Sequence, residues 1–237
     1  MLNFLKGCKN IYIGKEIKCK TFIEAIYWIV RTGAQWRELP EYYGKWNSVF
    51  SRFNDWSKKD IWKKLMEFVS VDHDLEYIML DSTIVRANAS AAGYGKQENE
   101  GLGRSSGGFS SKIHVKVDAL GNPLKFIITP GQHSDITQAN DLLQDIGRAS
   151  YIIADKGYNS SKLREEIIKQ GAKPVIPSKR NSINPIEYDK YIYKERHLVE
   201  CFFSKIKYFR RIFSRFDKSA RNFIGFLEFV GTCIWLK

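Results

Sequence analysis

Residues Tyr193–Lys207 read YKERHLVECFFSKIK, and their apolar side chains recur at the spacing of a helix. The apolar side is made of Leu198, Val199, Phe202, Ile206 and Phe209. The other side carries Tyr193, Arg196, Glu200 and Lys207, which fall within a strip about 60° wide at 3.6 residues per turn. The stretch therefore predicts one amphipathic helix with a carboxylate, two cations and a phenol in line, a pattern that an ordinary solvated face would also give.

Two apolar runs earlier in the chain each lead directly into an aspartate. Tyr77–Leu80 precedes Asp81, and Tyr151–Ala154 precedes Asp155. Such runs predict buried strands, so each carboxylate is expected at a strand end, the edge at which α/β sheets build their sites. An aspartate after a strand is also a common turn residue. Converging with Glu200 in a basic protein, the two would form an oxygen site for hard divalent cations.

The remaining elements predict a mixed α/β sheet with helices on its faces. They are a hairpin of Ile113–Val117 with Leu124–Thr129, a helix over 135–146, a helix over Ser160–Gln170 and a short strand at Pro174–Ile176. The Gly- and Ser-rich residues 93–108 are predicted to be a loop, and they match no nucleotide-binding glycine motif.

Residues 1–70 are predicted to form a small all-α domain, followed by an α/β domain over 71–237. Thr21–Glu24 matches a capping box at the start of an amphipathic helix, and Gly33 is a suitable residue to end it. This unit is either a helix-turn-helix-like DNA reader or a bundle that packs against the second domain.

The composition suggests a cytoplasmic protein that binds a polyanion. The 237-residue chain has a formal charge of +12, which favours binding to nucleic acid. Its four cysteines are scattered and suggest neither disulfides nor a zinc site. With no signal-peptide pattern, and a late apolar run over 223–236 that is too short to span a bilayer, the chain is expected in the cytoplasm, away from membranes.

These segments resemble the DDE transposases of bacterial insertion sequences, in the group related to insertion sequences four and five. The polar strip reproduces that group's signature Y-x2-R-x3-E-x6-K. LDSTIVRAN and ADKGYNS resemble the surroundings of the family's two aspartates, and GRSSGGFSSKIHVKVDALGNP and RTGAQWRELP resemble other typical stretches. The similarity extends from about residue 20 to the end of the chain.

The resemblance implies a fold, a site and a cofactor. The fold would be ribonuclease-H-like: a mixed five-stranded sheet with flanking helices, the first aspartate on the first strand and the second after the fourth. Asp81, Asp155 and Glu200 would hold two Mg²⁺ ions, with Mn²⁺ able to substitute. The DNA phosphates would be contacted by Tyr193, Arg196 and Lys207.

The implied function is metal-dependent cleavage at the ends of an insertion sequence and strand transfer into target DNA. Its partners would be double-stranded DNA, as terminal inverted repeats and as target, and further copies of the chain in a homodimer or larger assembly at the bacterial nucleoid. Two alternatives stay open: a DNA-binding remnant or repressor that has lost catalysis, and a stand-alone ribonuclease-H-like nuclease.

Several other polar residues have no assigned role at this stage. His133 and Asp135 could be a ligand pair, although an ordinary loop histidine fits as well. The four histidines are isolated from one another, and Ser82 is close to Asp81 without an evident role. An extended DNA track or a solvated face would equally explain Lys205, Arg210, Arg211 and Arg215.

Overall fold

A mixed β-sheet lies at the centre of the computed structural model, which describes residues 1–92, 97–105 and 107–237. Its strands are β1 (Tyr77–Ala87), β2 (Gly103–Ser105), β3 (Gly108–Val117), β4 (Pro123–Pro130), β5 (Tyr151–Ala154), β6 (Lys173–Val175) and β7 (Ser214–Arg215). The main order is β4-β3-β1-β5-β6, in which β3 is antiparallel to its neighbours and β1, β5 and β6 are parallel. The predicted ribonuclease-H-like fold is confirmed, with β2 and β7 as short additions to the five expected strands.

Helices cover both faces of this sheet. They are α1 (Leu2–Gly7), α2 (Glu16–Thr32), α3 (Trp46–Lys58), α4 (Ile61–Val69), α5 (Ala139–Leu142), α6 (Ser161–Lys169), α7 (Lys190–Tyr193), α8 (His197–Lys207), α9 (Arg210–Phe213) and α10 (Ala220–Trp235). One face packs with α2, α3, α4, α8 and α10 in a continuous apolar core. The other face packs with α5 and α6 in a second core.

Strand β1 is longer than its apolar run predicted. Asp81 does not end the strand, because the backbone pairing with β3 continues from Met79 opposite Val117 as far as Arg86 opposite Ser110. Ladder hydrogen bonds are made by the backbone, so polar side chains after Leu80 do not interrupt them. Successive side chains point to opposite faces. Met79 accordingly belongs to the first core and Leu80 to the second.

Helix α2 begins earlier than predicted, and the N-terminal helices share the first core. α2 starts at Glu16, and the Thr21 hydroxyl donates to the carbonyl of Ile17 inside the helix, so it is not a cap. Gly33 ends this helix in the left-handed region with φ 71°, as predicted. Trp62 of α4 packs edge-on against Phe229 of α10, with ring centroids 5.3 Å apart. The division at residue 70 stays a prediction.

The signature stretch is helical throughout, although it is not one uninterrupted α-helix. Residues Lys194–Arg196 tighten into a 3-10 turn between α7 and α8. The backbone stays in the right-handed helical region at both ends of this turn, with φ −59° at Tyr193 and −54° at Arg196. The apolar side is buried as predicted: Val199, Phe202, Ile206 and Phe209 all lie in the first core.

Two further segments differ from prediction. The helix expected over 135–146 is reduced to a 3-10 turn at Asp135–Gln138 and the short α5, and Asp145 lies in the left-handed region with φ 55°, which breaks a right-handed helix. The loop expected over 93–108 falls partly outside the described residues, at 93–96 and 106. In its described part, Gly103–Ser105 pairs with β3 as a strand.

Candidate active site

Asp81 and Asp155 lie side by side on adjacent parallel strands. The register of β1 and β5 pairs Leu80 with Ala154, and each aspartate is the next residue. Neighbouring strands are about 4.8 Å apart, so the two carboxylates emerge from the sheet together. Asp155 directly follows β5, as predicted, and its Oδ1 accepts the Gly157 N–H at 2.8 Å, which caps the 3-10 turn Lys156–Tyr158.

The Asp81 carboxyl is buried among groups that oppose one another electrostatically. Burial raises its pKa to about 6, and the nearby Asp155 and Asp135 add to this effect. The Ser82 N–H, donated to Oδ1 at 2.7 Å, and the Arg196 guanidinium lower the same pKa. A buried carboxyl with a strongly shifted pKa and a specific charged partner is typical of a functional site.

Arg196 joins Asp81 to Glu200. Its Nη1 donates to Asp81 Oδ2 at 2.7 Å, and its Nη2 donates to Glu200 Oε1. The two carboxylates therefore face one another across one planar guanidinium, while Asp155 is the lateral neighbour of Asp81. Within the ranges that the structure describes, no three His, Cys, Asp or Glu side chains are close enough together to hold a metal ion. Glu200 thus meets Asp81 through Arg196.

The rest of the polar strip is directed toward the same carboxylates at its N-terminal end. Arg196 lies over the Tyr193 ring, 5.9 Å from its centroid. Burial raises the pKa of the half-buried Tyr193 hydroxyl, and Asp155 and Asp81 raise it further. Lys207 follows Glu200 by seven residues, or about two turns along the same side of α8.

The opposite face of β1 carries a polar network that no spacing along the chain indicates. Ser82 points away from Asp81, and its hydroxyl donates to Asp135 Oδ1 at 2.6 Å. The buried Lys112 ammonium donates to the same oxygen at 2.8 Å and to the carbonyl of His133 at 2.7 Å. Asp135 is therefore close to the site, whereas the His133 side chain is exposed. A contact between residues 53 apart leaves no signal in the spacing.

Two cations of the suggested DNA track are structural instead. Arg211 and Arg215 are buried. Arg211 forms a bidentate ion pair with Asp217. Arg215 donates to the Ser111 hydroxyl and the Asp217 carbonyl. Both guanidiniums are buried and hydrogen-bonded inside the protein, so the hypothesis that they extend a DNA-binding surface is wrong. Lys205 and Arg210 are exposed.

Family models match almost all of the chain. A model described as "Transposase DDE domain" matches residues 72–230, and a model for putative transposases of the IS4/5 family matches residues 7–66. The chain belongs to the DDE transposase family. It is similar to a putative transposase for insertion sequence element IS6501 of Brucella ovis, with 38% identity over 54% of this chain and 99% of that relative. A putative transposase for IS402 of Burkholderia cepacia is 31% identical over 52% of this chain and 61% of the relative.

Solved transposase structures align with this chain at low identity. The piggyBac transposase in a synaptic complex with hairpin DNA aligns over 76% of this chain and 46% of that chain, with a TM-score of 0.45 and 11% identity. The Mos1 Strand Transfer Complex aligns over 97% and 78%, with a TM-score of 0.31 and 10% identity. Across the described residues, no helix combines the length and apolar character needed to cross a bilayer.

The donor types of this site suit divalent cations, which the DDE transposase family generally uses, although the described carboxylates are not gathered into a metal cluster. Asp81, Asp155 and Glu200 supply only carboxylate oxygens, the donors that hard divalent ions prefer. Asp81 Oδ2 and Glu200 Oε1 both form ion pairs with the Arg196 guanidinium. Carboxylates that converge on one cationic group have the chemistry required to hold a metal ion between them.

Proposed function

We propose that this chain cuts DNA at the ends of an insertion sequence and joins those ends to target DNA. In this proposal Asp81, Asp155 and Glu200 hold two Mg²⁺ ions, for which Mn²⁺ can substitute. The observation that carries it is the pair of aspartates on adjacent parallel strands, facing Glu200 through Arg196. Bound metals would activate the attacking oxygen and stabilise the leaving oxygen of the phosphodiester.

Two in-line displacements at one site account for the reaction. In the first, a water oxygen attacks phosphorus at the element end, the bond from phosphorus to the 3′ oxygen breaks, and a 3′-hydroxyl is released. In the second, that hydroxyl loses its proton and attacks a phosphorus of target DNA, whose own 3′ oxygen leaves. The protein's part is to orient the carboxylates and the phosphates, and Arg196 holds the Asp81 and Glu200 carboxylates with its two Nη atoms.

DNA would approach along the polar strip. Tyr193, Arg196 and Lys207 are assigned to the phosphates near the cleaved bond, and the net charge of +12 favours a polyanion. The partners are the terminal inverted repeats and the target duplex. Because two ends must be handled together, the active species is a homodimer or a larger assembly, at the bacterial nucleoid.

The proposal is tested on linear DNA that carries the inverted repeats flanking the coding region. Asp81→Asn, Asp155→Asn and Glu200→Gln should each reduce end-specific nicking in Mg²⁺ by at least about a thousandfold, because each removes a charged metal ligand. Asp141→Asn, at an exposed position on α5, is the control and should cut normally. Nicking that survives in Asp81→Asn or Glu200→Gln would overturn the assigned site.

A DNA-binding protein without catalysis is the second candidate. It is favoured by one observation, that Glu200 meets Asp81 only through the Arg196 guanidinium in the described part of the chain. The same assay separates the two candidates. Specific binding of the repeats without nicking, in Mg²⁺ and in Mn²⁺ alike, would favour this second function.

A further inference from the structure

The network behind Asp81 holds a fourth carboxylate in a fixed position. Asp135 Oδ1 accepts two donors, the Ser82 hydroxyl at 2.6 Å and the Lys112 ammonium at 2.8 Å. Both donors are on the sheet, Ser82 on β1 and Lys112 on β3, where their side chains share one face. Lys112 is only 9% exposed. One end of the Asp135 carboxylate is thereby tied to the two central strands.

The other end of this carboxylate closes on the Asp155 turn. A Cβ at Gly157 would be 3.1 Å from Asp135 Oδ2 and 2.9 Å from Asp155 Oδ1. The two carboxylates thus enclose the same glycine, and only the absence of a side chain lets them both approach. The next residue, Tyr158, is fully buried, and its hydroxyl has no hydrogen-bond partner among the described residues.

We propose that Asp135, held by Lys112 and Ser82, is a positioning residue that keeps the Asp155 carboxylate beside Asp81 for cation binding. This inference rests on the proposed function of the Asp81–Asp155 pair. Among the described residues, the Asp155 carboxylate has one hydrogen-bond donor, the Gly157 N–H, and Asp155 follows a strand of only four residues. The Asp135 carboxylate, fixed to β1 and β3, packs against Gly157 of the same turn and supplies a second contact that holds it.

The charge of Lys112 also contributes to holding Asp135 in place. Asp81 and Asp155 follow paired residues of adjacent strands, and Asp135 lies against the same Gly157 as Asp155. Three neighbouring carboxylates repel one another, and the Lys112 ammonium neutralises the one that binds no cation. Outer groups that orient metal ligands typically contribute a factor of 10 to 100 in metal affinity.

The chain offers a matched pair of variants for the test. Lys112 and Lys116 are both buried lysines on the same face of β3, four residues apart. Lys116 donates to the carbonyls of Gln144 and Asp145, which are outside the site. Lys112→Met and Lys116→Met therefore each remove one buried ammonium, but only the first removes a contact to Asp135.

The experiment measures Mn²⁺ affinity of the intact protein by electron paramagnetic resonance of the free ion, with thermal unfolding as the stability readout. Asp135→Asn and Lys112→Met should weaken Mn²⁺ binding at least about tenfold, while Lys116→Met binds Mn²⁺ as the unmodified protein does. Each variant disturbs a buried ammonium, so all three are expected to lower the unfolding temperature, and Mn²⁺ affinities are compared at a temperature at which every variant is folded.

Three results would overturn the inference: equal Mn²⁺ binding in all variants, equal weakening in all three, or no measurable binding by the unmodified protein. Failure of the proposed function has a different outcome. If Mn²⁺ binding follows the expected pattern but DNA carrying the repeats is not cut, the positioning role stands and the transposase activity does not.

Discussion

Lys207 differs from the other charged residues of the polar strip in forming no ion pair within the described part of the chain. Arg196 and Glu200 pair with each other, whereas Lys207 forms no ion pair with any side chain that the structure describes. An ammonium without a carboxylate partner is available to a phosphate. This difference makes Lys207 the residue at which the assigned DNA contact can be measured most directly.

Lys207→Ala should weaken DNA binding and reduce its salt dependence by about one phosphate contact, a change of roughly 0.9 in the slope of log K against log salt. Binding is measured by fluorescence anisotropy over a series of salt concentrations. Lys169→Ala, at an exposed position ending α6, is the matched control. An unchanged slope in Lys207→Ala would remove that residue from the interface.

Individual site residues could be predicted from the sequence where the neighbouring residues form a recognisable pattern. Asp155 follows an apolar run, and Glu200 stands at helical spacing from Arg196, so both could be singled out. Asp135 and Lys112 could not be singled out in this way, because a charged residue in a loop or an alternating strand has the same pattern whether it is solvated or buried. Their roles arise from contacts between distant parts of the chain.

Helix α10 illustrates how a charged residue behaves inside an otherwise apolar element. Glu228 is only 9% exposed and faces α4. The pKa of Glu228 is raised from 4.5 to about 8. Burial is the main cause, Asp60 and Glu67 contribute, and Lys63 has the opposite effect. The folded state therefore holds a proton that the unfolded state releases between these two pH values.

Glu228→Gln should make the free energy of unfolding less dependent on pH, because Glu228 is the source of a decrease in stability as the pH rises. With the folded pKa above the unfolded one, the folded state binds more protons between pH 4.5 and about 8, so its free energy of unfolding falls as pH rises. Urea unfolding at pH 5 and pH 8 measures the slope, with exposed Glu165→Gln as control. Equal pH dependence in the unmodified protein and Glu228→Gln would contradict the assignment.

Elements were predicted best where one periodicity dominated. The apolar side of α8 and the hairpin of β3 and β4 repeat at fixed spacing, and both are present. The polar half of β1 was missed because its pairing is a property of the backbone. On β3, the alternate positions Lys112, His114 and Lys116 are buried, because the sheet is covered on both faces and each side chain finds a polar partner inside.

Across the whole molecule, Arg211 joins the N-terminal helices to the C-terminal ones. Its guanidinium donates to both oxygens of Asp217 and to the carbonyl of Ala34, and it lies over the rings of Trp36 and Phe226. The first core likewise continues from α2 through α10. Residues before and after the predicted boundary at 70 thus contribute to the same buried contacts.

Arg211→Ala should lower the free energy of unfolding by about 3–5 kcal/mol, because it leaves the Asp217 carboxylate buried without a counter-charge. The shared core further predicts one cooperative transition by tryptophan fluorescence and circular dichroism in urea. Arg221→Ala, at an exposed position of α10, serves as control. Two separate transitions in the unmodified protein would show that the N-terminal helices unfold on their own.

The alternation of β1 has a consequence for how this gene tolerates length changes. Asp81 and Ser82 are consecutive and serve opposite faces, one toward Arg196 and the other toward Asp135. Loss of a single codon before Asp81 within β1 would exchange the two faces for the residues on one side of the deletion. Such a copy would place the Asp81 carboxylate at the position of Leu80, in the second apolar core, and the Ser82 hydroxyl opposite Arg196. We therefore expect in-frame deletions of one codon in β1 to inactivate the protein, even where substitutions at exposed positions are tolerated.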